Sequence, residues 1–247
     1  MTPAPLDLHD IQGLVARGYG HLSAAAFLLL TIENAAAGRR WLDEVSGAIT
    51  SAEVRRPNRA LNVAFTSTGL ERLGLDRGTL ELFSNEFVTG MTTPHRTRIL
   101  GDLDENAPAR WEWGGEIGPS VDAVLLLYAL NDRELTRFEA EQTGALPQGG
   151  MRVARRLGTS DLDGVEPFGF RDGVSQPFVE GLSKTGPPES TVRAGEFLLG
   201  YENEYGLYTD RPLLDPSADP AGETTSPRRA SSARSGRGAR AAREAAE

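Results

Sequence analysis

Two strongly apolar runs, each passing straight into a helix-patterned segment, restrict this chain to a small set of folds. His21 to Glu33 reads HLSAAAFLLLTIE, with the apolar centre and β-branched end of a buried strand. Asn34 stands where a helix N-cap is needed. In the following AAAGRRWLDEVSGAI, Ala37, Trp41, Leu42, Val45 and Ile49 recur at helical spacing and give one stripe to pack on a sheet. Much later VDAVLLLYAL, Val121 to Leu130, is the strongest strand of the chain, expected at the sheet centre because its run needs cover on both sides. NDRELTRFEAEQ follows as a helix, with Asp132 near its positive end and Arg137 one turn after Arg133. Arg59 to Ser67, RALNVAFTS, and Met151 to Gly158, MRVARRLG, supply two further strands.

The order is strand, helix, strand, insertion, strand, helix, strand. That is the ferredoxin-like split βαβ pattern, an α+β fold whose antiparallel sheet carries its helices on one face. Within the insertion, Thr68 and Thr79 are placed to start short helices. From Thr92 to about Ser120 a loop rich in Gly, Pro, Asp and Asn follows, where Trp111-Glu112-Trp113 alternates like a short strand. The expected organisation is an N-terminal arm over 1–20, the ferredoxin-like domain over 21–158, an irregular connector over 159–222 and a tail over 223–247. Glu196 to Tyr201, EFLLGY, is a candidate short strand in the connector. A long irregular stretch in a compact protein is usually functional or a linker.

Composition removes several function classes. The net charge of −9 argues against nucleic acid, whose phosphates need a basic face. The average conceals a tail with six Arg and three Glu, net +3, which leaves −12 for residues 1–222. No apolar stretch approaches bilayer length, so no membrane role is expected. The absence of cysteine excludes disulfides, thiolate metal sites and a Cys nucleophile. With no basic-then-apolar leader and no twin arginine, the expected location is the cytoplasm.

The informative motif is Gly169-Phe170-Arg171-Asp172-Gly173-Val174-Ser175-Gln176-Pro177. Two glycines bracketing an aspartate let the backbone turn tightly and approach a flat ligand, while the loop fixes where the carboxylate projects. Alone, G-x-x-D-G is also an ordinary Asx-turn sequence. Its context is more specific. Phe168 to Pro177, FGFRDGVSQP, resembles the GxxDG signature of the dye-decolorizing peroxidases (DyP-type), which continues into an apolar residue and Ser-Gln-Pro. Asp10 to His21, DIQGLVARGYGH, is similar to that family's opening segment, and Gly195 to Gly206, GEFLLGYENEYG, to the stretch after the signature. Together the matches cover most of residues 9–216, in the family's order.

This resemblance implies the first half of a two-domain, dimeric α+β barrel-like peroxidase that binds haem b mainly through its second domain. It implies that Asp172 takes a proton from hydrogen peroxide and returns it to the outer oxygen, with bulky organic compounds or dyes as reductants. Gly169 and Gly173 would shape the loop against the porphyrin. Phe170, Arg171, Ser175 and Gln176 are the other candidate cofactor contacts, Arg171 the weakest because it occupies a variable position. The family's proximal His and distal Arg lie in the second domain. This chain has only His9, His21 and His95, all before the signature, so no residue is assigned to the metal and the axial ligand is absent.

Other constellations read as structural. Trp41, Trp111, Trp113 and the tyrosines are expected in the core rather than in an electron relay, and Asp102, Asp104 and Glu105 as a solvated loop rather than a cation site. The abrupt change near Gly222 is what a GC-rich gene read out of frame looks like, so the chain is expected to be truncated or frameshifted. The alternative is a catalytically silent ferredoxin-like interaction module, and homo-oligomerisation is compatible with either. A tail without one Val, Ile, Leu, Met, Phe, Trp or Tyr cannot offset its ordering entropy. Removing residues 223–247 should leave the melting temperature unchanged within error, as differential scanning calorimetry would show.

Overall fold

The computed structural model describes residues 5–159, 165, 168–171, 176–182 and 186–212. In chain order the elements are α1 (Gly13–Ala16), β1 (Ala24–Ile32), α2 (Ala35–Ser46), β2 (Arg59–Phe65), α3 (Ser67–Arg72), α4 (Arg77–Leu80), α5 (Asn85–Thr89) and α6 (Pro94–Leu100). After them come β3 (Ala123–Ala129), α7 (Asp132–Ala145), β4 (Met151–Gly158), β5 (Phe178–Val179) and β6 (Thr191–Val192). The four long strands form one sheet in the order β2-β3-β1-β4, antiparallel throughout. This is the ferredoxin-like α+β arrangement, matching solved relatives described below.

Strand periodicity explains the layers. Ala24, Ala26, Leu28, Leu30 and Ile32 of β1 share one face with Leu61 and Val63 of β2 and with Ala123, Leu125, Leu127 and Ala129 of β3. Trp41 and Val45 of α2 and Leu135 and Phe138 of α7 close over that face. Side chains as fully buried as Leu28, Leu30, Leu125 and Leu127 contribute about 1.5–3 kcal/mol each. Each of the two helices opens on an asparagine: Asn34 Oδ1 accepts from Ala37 N at 3.0 Å, and Asn131 Oδ1 from Glu134 N at 3.0 Å.

The opposite face is only partly covered. β3 is central, as expected, but not for the expected reason: its burial alternates, and Val124, Leu126 and Tyr128 are half-buried. The strand buried on both sides is β1, where only Phe27 is half-exposed. Tyr19, Leu22 and Leu14 cover Ala60 and Tyr128 at one end of this face. A register shift in β4 between the partners of Leu29 and Leu30 leaves Ala154 as an extra residue. Arg155 therefore turns to the face opposite the helices and pairs with Glu112 of the insertion, while Arg156 pairs with Glu139 of α7.

Several sequence expectations are corrected in detail. The cap of α3 is Thr66, not Thr68, because Thr66 Oγ1 accepts from Gly69 N at 3.1 Å. α4 starts at Asp76 rather than Thr79, whose amide and hydroxyl both donate to the Asp76 carboxylate. Trp111 to Trp113 is no strand: Trp111 Nε1 donates to Asn106 O, curling the segment back on itself. EFLLGY is 3-10 helix and turn; the short strands are β5 and β6, too short to show periodicity. The tail lies outside the described residues.

Asp122, fully buried, joins three elements. Its amide donates to Leu30 O at 2.8 Å, and its Oδ2 accepts from Ile32 N at 2.8 Å and from Arg72 Nη1 of α3 at 2.8 Å. Its carbonyl accepts from Thr66 N. A Cβ on Gly69 would stand 1.9 Å from that carbonyl oxygen, so α3 can approach only on glycine. Removing Arg72 leaves a buried charge without its counter-ion, whereas Asp122→Asn removes the charge and keeps an acceptor for Ile32. Arg72→Met should cost about 3–5 kcal/mol and Asp122→Asn about 1–3 kcal/mol in urea unfolding; the reverse order would show that shape, not charge, decides the junction.

Candidate functional site

The signature lies between β4 and β5 in the chain. Thr159 Oγ1, just past β4, donates to Ala25 O at 3.4 Å. Val165 and Arg171 form an isolated antiparallel bridge, which pins the first half of the motif into a turn. Inside that turn Gly169 has φ +88°, a left-handed conformation that favours glycine, and among the described residues no atom stands within 4 Å of its missing Cβ. Phe168 and Phe170 flank it with 88% and 73% of their surfaces exposed. Arg171 and Gln176 are also exposed. The structure thus brings Gly169, Phe170 and Arg171 together on one turn, with Gln176 at the motif's exit. Asp172, Gly173 and Ser175 lie outside the described residues.

Two matched segments far apart in sequence meet beside this exit. Val179 of β5 is buried with Ile11, Ala16, Ala52, Ala194 and Leu198, and Leu6, Leu8, Leu182, Val192 and Tyr201 pack around them. Asp7 N donates to the Tyr201 hydroxyl at 3.1 Å. The opening segment is therefore packed against the stretch after the signature. No periodicity could have revealed this, since α1 is four residues long and β5 and β6 two each. The one available signal was that both segments matched the same family as the motif between them.

The rings of the three histidines find their described partners away from the signature turn. His9 is exposed, its Nδ1 3.5 Å from Glu53. His21 Nε2 is 2.7 Å from Pro57 O, and His95 Nδ1 is 3.4 Å from Arg98 on α6. Among the described residues no three His, Asp or Glu side chains gather as metal ligands. Asp104 and Glu105 are exposed at the start of a short 3-10 helix, with Asp104 at φ +52°, and Asp102 just before it is half-buried.

The aromatic residues divide. Trp41 is core, but Trp113 is exposed on the insertion and Tyr205 near the end of the described chain. Tyr19 and Tyr128 pack with their rings tilted by 58° and centroids 5.0 Å apart, and Phe27 meets Tyr128 edge-on at 5.9 Å. The Tyr19 hydroxyl donates to Asn62 Oδ1 at 3.1 Å within the sheet.

Comparison with known proteins follows this geometry. The chain is 32% identical over 224 residues to the dye-decolorizing peroxidase msp1 of Mycetinis scorodonius, an overlap of 85% of this chain and 42% of that one. It is 30% identical over 163 residues to a multifunctional dye peroxidase of Amycolatopsis sp., covering 61% of this chain and 33% of that protein. Among solved structures, a dye-decolorizing peroxidase in complex with cyanide superposes with a TM-score of 0.66 at 25% identity, covering 83% of this chain and 47% of that one. The chain is homologous to the dye-decolorizing peroxidases over part of their length. No family model matches the chain. An ancestral D-type dye-decolorizing peroxidase gives a TM-score of 0.63 at 25% identity, over 80% of this chain and 45% of the other. This peroxidase homologue thus spans less than half the length of the relatives it matches, corresponding to their N-terminal half.

In this dye-decolorizing peroxidase homologue, burial pushes the Tyr128 hydroxyl up to about 12 from its ordinary 10.0, and the neighbouring Tyr19 adds to the shift. The fold favours the neutral phenol, so the unfolded chain ionises first as pH rises. Stability should be undiminished below pH 10.0 and fall between there and about 12. Tyr128→Phe should flatten that decline in melting temperatures measured across the window; an equal decline in both proteins would assign it elsewhere.

Proposed function

We propose that this chain carries the distal side of a DyP-type haem peroxidase site, acting with hydrogen peroxide and a bulky organic reductant. The observation that supports the reading most is the signature turn: Gly169 at φ +88°, with no described atom within 4 Å of its missing Cβ, between two exposed phenylalanine rings. An open glycine lets a flat macrocycle approach the backbone, and apolar rings at its edge suit a porphyrin's surface. That fit covers one side only. The histidines are engaged with Glu53, Pro57 and Arg98 and supply no donor for the opposite side.

Haem, when bound, would supply the redox chemistry that splits peroxide. The chain's own part is proton handling at Asp172: its carboxylate takes the proton from one peroxide oxygen and delivers it to the other, so that water can leave. Gly169 and Gly173 permit the close backbone approach, and Phe170, Arg171, Ser175 and Gln176 border the ligand. Without an axial donor the isolated chain should bind haem weakly and turn over peroxide no faster than free haem does.

A second reading, a silent interaction module, is favoured by one feature. Phe27, Val124, Leu126 and Leu157 form a half-exposed apolar patch on the sheet face away from the helices.

One measurement tests the weak binding of haem and a second separates the readings. Haem titration of the chain should give a broad, low-affinity Soret band, and a sharp stoichiometric band with peroxide-dependent dye bleaching lost in Asp172→Ala would overturn the prediction of weak binding. With residues 1–212 grafted in place of the matching half of a full-length relative, Asp172→Ala should slow the reaction with peroxide by about 10²–10⁴-fold while leaving haem content intact. Equal loss of both would mean that Asp172 is structural and would favour the silent module.

A further inference from the structure

We propose that the opening segment, residues 6–13, is a clamp that sets the position of the strand leaving the signature, with Gln12 as its anchor and Leu6 as its contact. These are positioning residues for the loop that bears Asp172, an inference that rests on the distal-site reading above.

β5 begins one residue after the motif ends, and its only sheet partner among the described residues is β6, a ladder of two residues per strand. So short a ladder does not hold its place unaided. The support comes from the chain's beginning. Val179 is buried against Ile11 and Ala16. Two residues on, Gly181 has φ +79°, and a Cβ there would stand 2.8 Å from Leu6 Cδ1. Leu6 therefore lies directly on the Gly181 backbone, so a side chain at 181 would be strained by its φ and would displace Leu6. Asp7 N to the Tyr201 hydroxyl fastens the same segment to the stretch beyond β6.

The clamp needs a fixed end, and Gln12 provides it. Its side-chain amide pairs with the outer edge of β2 as an additional strand residue would: Nε2 donates to Val63 O at 2.8 Å, and Oε1 accepts from Val63 N at 2.9 Å. Oε1 also accepts from Nδ2 of buried Asn62 at 3.1 Å. Gly13 N to Thr50 O and Ala52 N to Ile11 O, at 2.8 and 2.7 Å, complete the attachment. A continuous line of packed contacts thus runs from β2 through Gln12 and Ile11 to Leu6, and from Leu6 and Ile11 to Gly181 and Val179 at the motif's exit.

The chain has no cysteine, so two can be introduced for spin labels: Gln176→Cys at the exit and Arg133→Cys on the exposed side of α7. The unmutated background should give one narrow distance distribution by pulsed electron paramagnetic resonance. Leu6→Ala and Gln12→Ala should each widen it about twofold and speed amide exchange at Glu180 and Leu182 by about tenfold or more, with β1 and β3 still protected. Leu6→Met should restore both readings. Should Gln12→Ala fail to fold, Leu6→Ala carries the test, since Leu6 is at the edge of its cluster. An unchanged width and exchange rate in Leu6→Ala overturns the clamp. So does a distribution already as broad in the background, or a loss of protection spread evenly over β1 and β3 that Leu6→Met does not repair. No haem enters the measurement, so failure of the clamp is separable from failure of the peroxidase reading.

Discussion

One buried carboxylate decides how the insertion meets the sheet. Asp122 is fully buried, and two donors from other elements, the amide of Ile32 and the guanidinium of Arg72, converge on its Oδ2. Its backbone carbonyl meanwhile receives Thr66 and leaves room only for a glycine at position 69. The turn out of β2, the start of α3 and the first residues of β3 are thereby fixed together, and α4 to α6 hang from that junction. A buried ion pair is a weak source of net stability but a strict source of geometry. Strictness is what a long insertion in a small domain requires.

The sheet's two faces have different debts to the rest of the chain. The helix side is closed by α2 and α7 with ordinary core side chains. The other side is finished piecemeal: Tyr19, Leu14 and Leu22 at one end, Glu112 reaching Arg155 at the other, and Phe27, Leu126 and Leu157 half-covered between. The bulge at Ala154 makes this possible, because it sets which arginine serves which face, Arg155 the far side and Arg156 the helix side. Without it Arg155 would point into the helix side and Glu112 would lose its partner.

The architecture was legible because burial leaves a period in sequence. β4 was read to its residue limits, and β1, β2 and β3 to within a few, since each alternates or runs apolar across its length. What failed to show was whatever depends on one hydrogen bond. Thr66 and Thr68 are both plausible caps, and only the position of Gly69 N separates them. The double burial of β1 rather than β3 depends on which residues of the arm and insertion reach the far face, and composition does not carry that. At the site, the motif and its two companion segments were recognisable by resemblance, and the turn at Gly169 has the backbone such a motif needs. The packing of Leu6 on Gly181 joins residues 175 positions apart through elements too short to announce themselves.

The two edges of the sheet are finished by different means. On the β2 side a glutamine amide and Thr50 occupy the backbone groups that a further strand would use. On the β4 side no described strand occupies them, and the residues presented there are Arg152, Arg155 and Arg156, tied to Glu33, Glu112 and Glu139. Edge strands laden with charge resist pairing with a copy of themselves, because stacking would set guanidinium against guanidinium. A sheet with one plugged edge and one charged edge is terminated in both directions. Growth is opposed by occupied backbone groups on the β2 side and by charge on the β4 side.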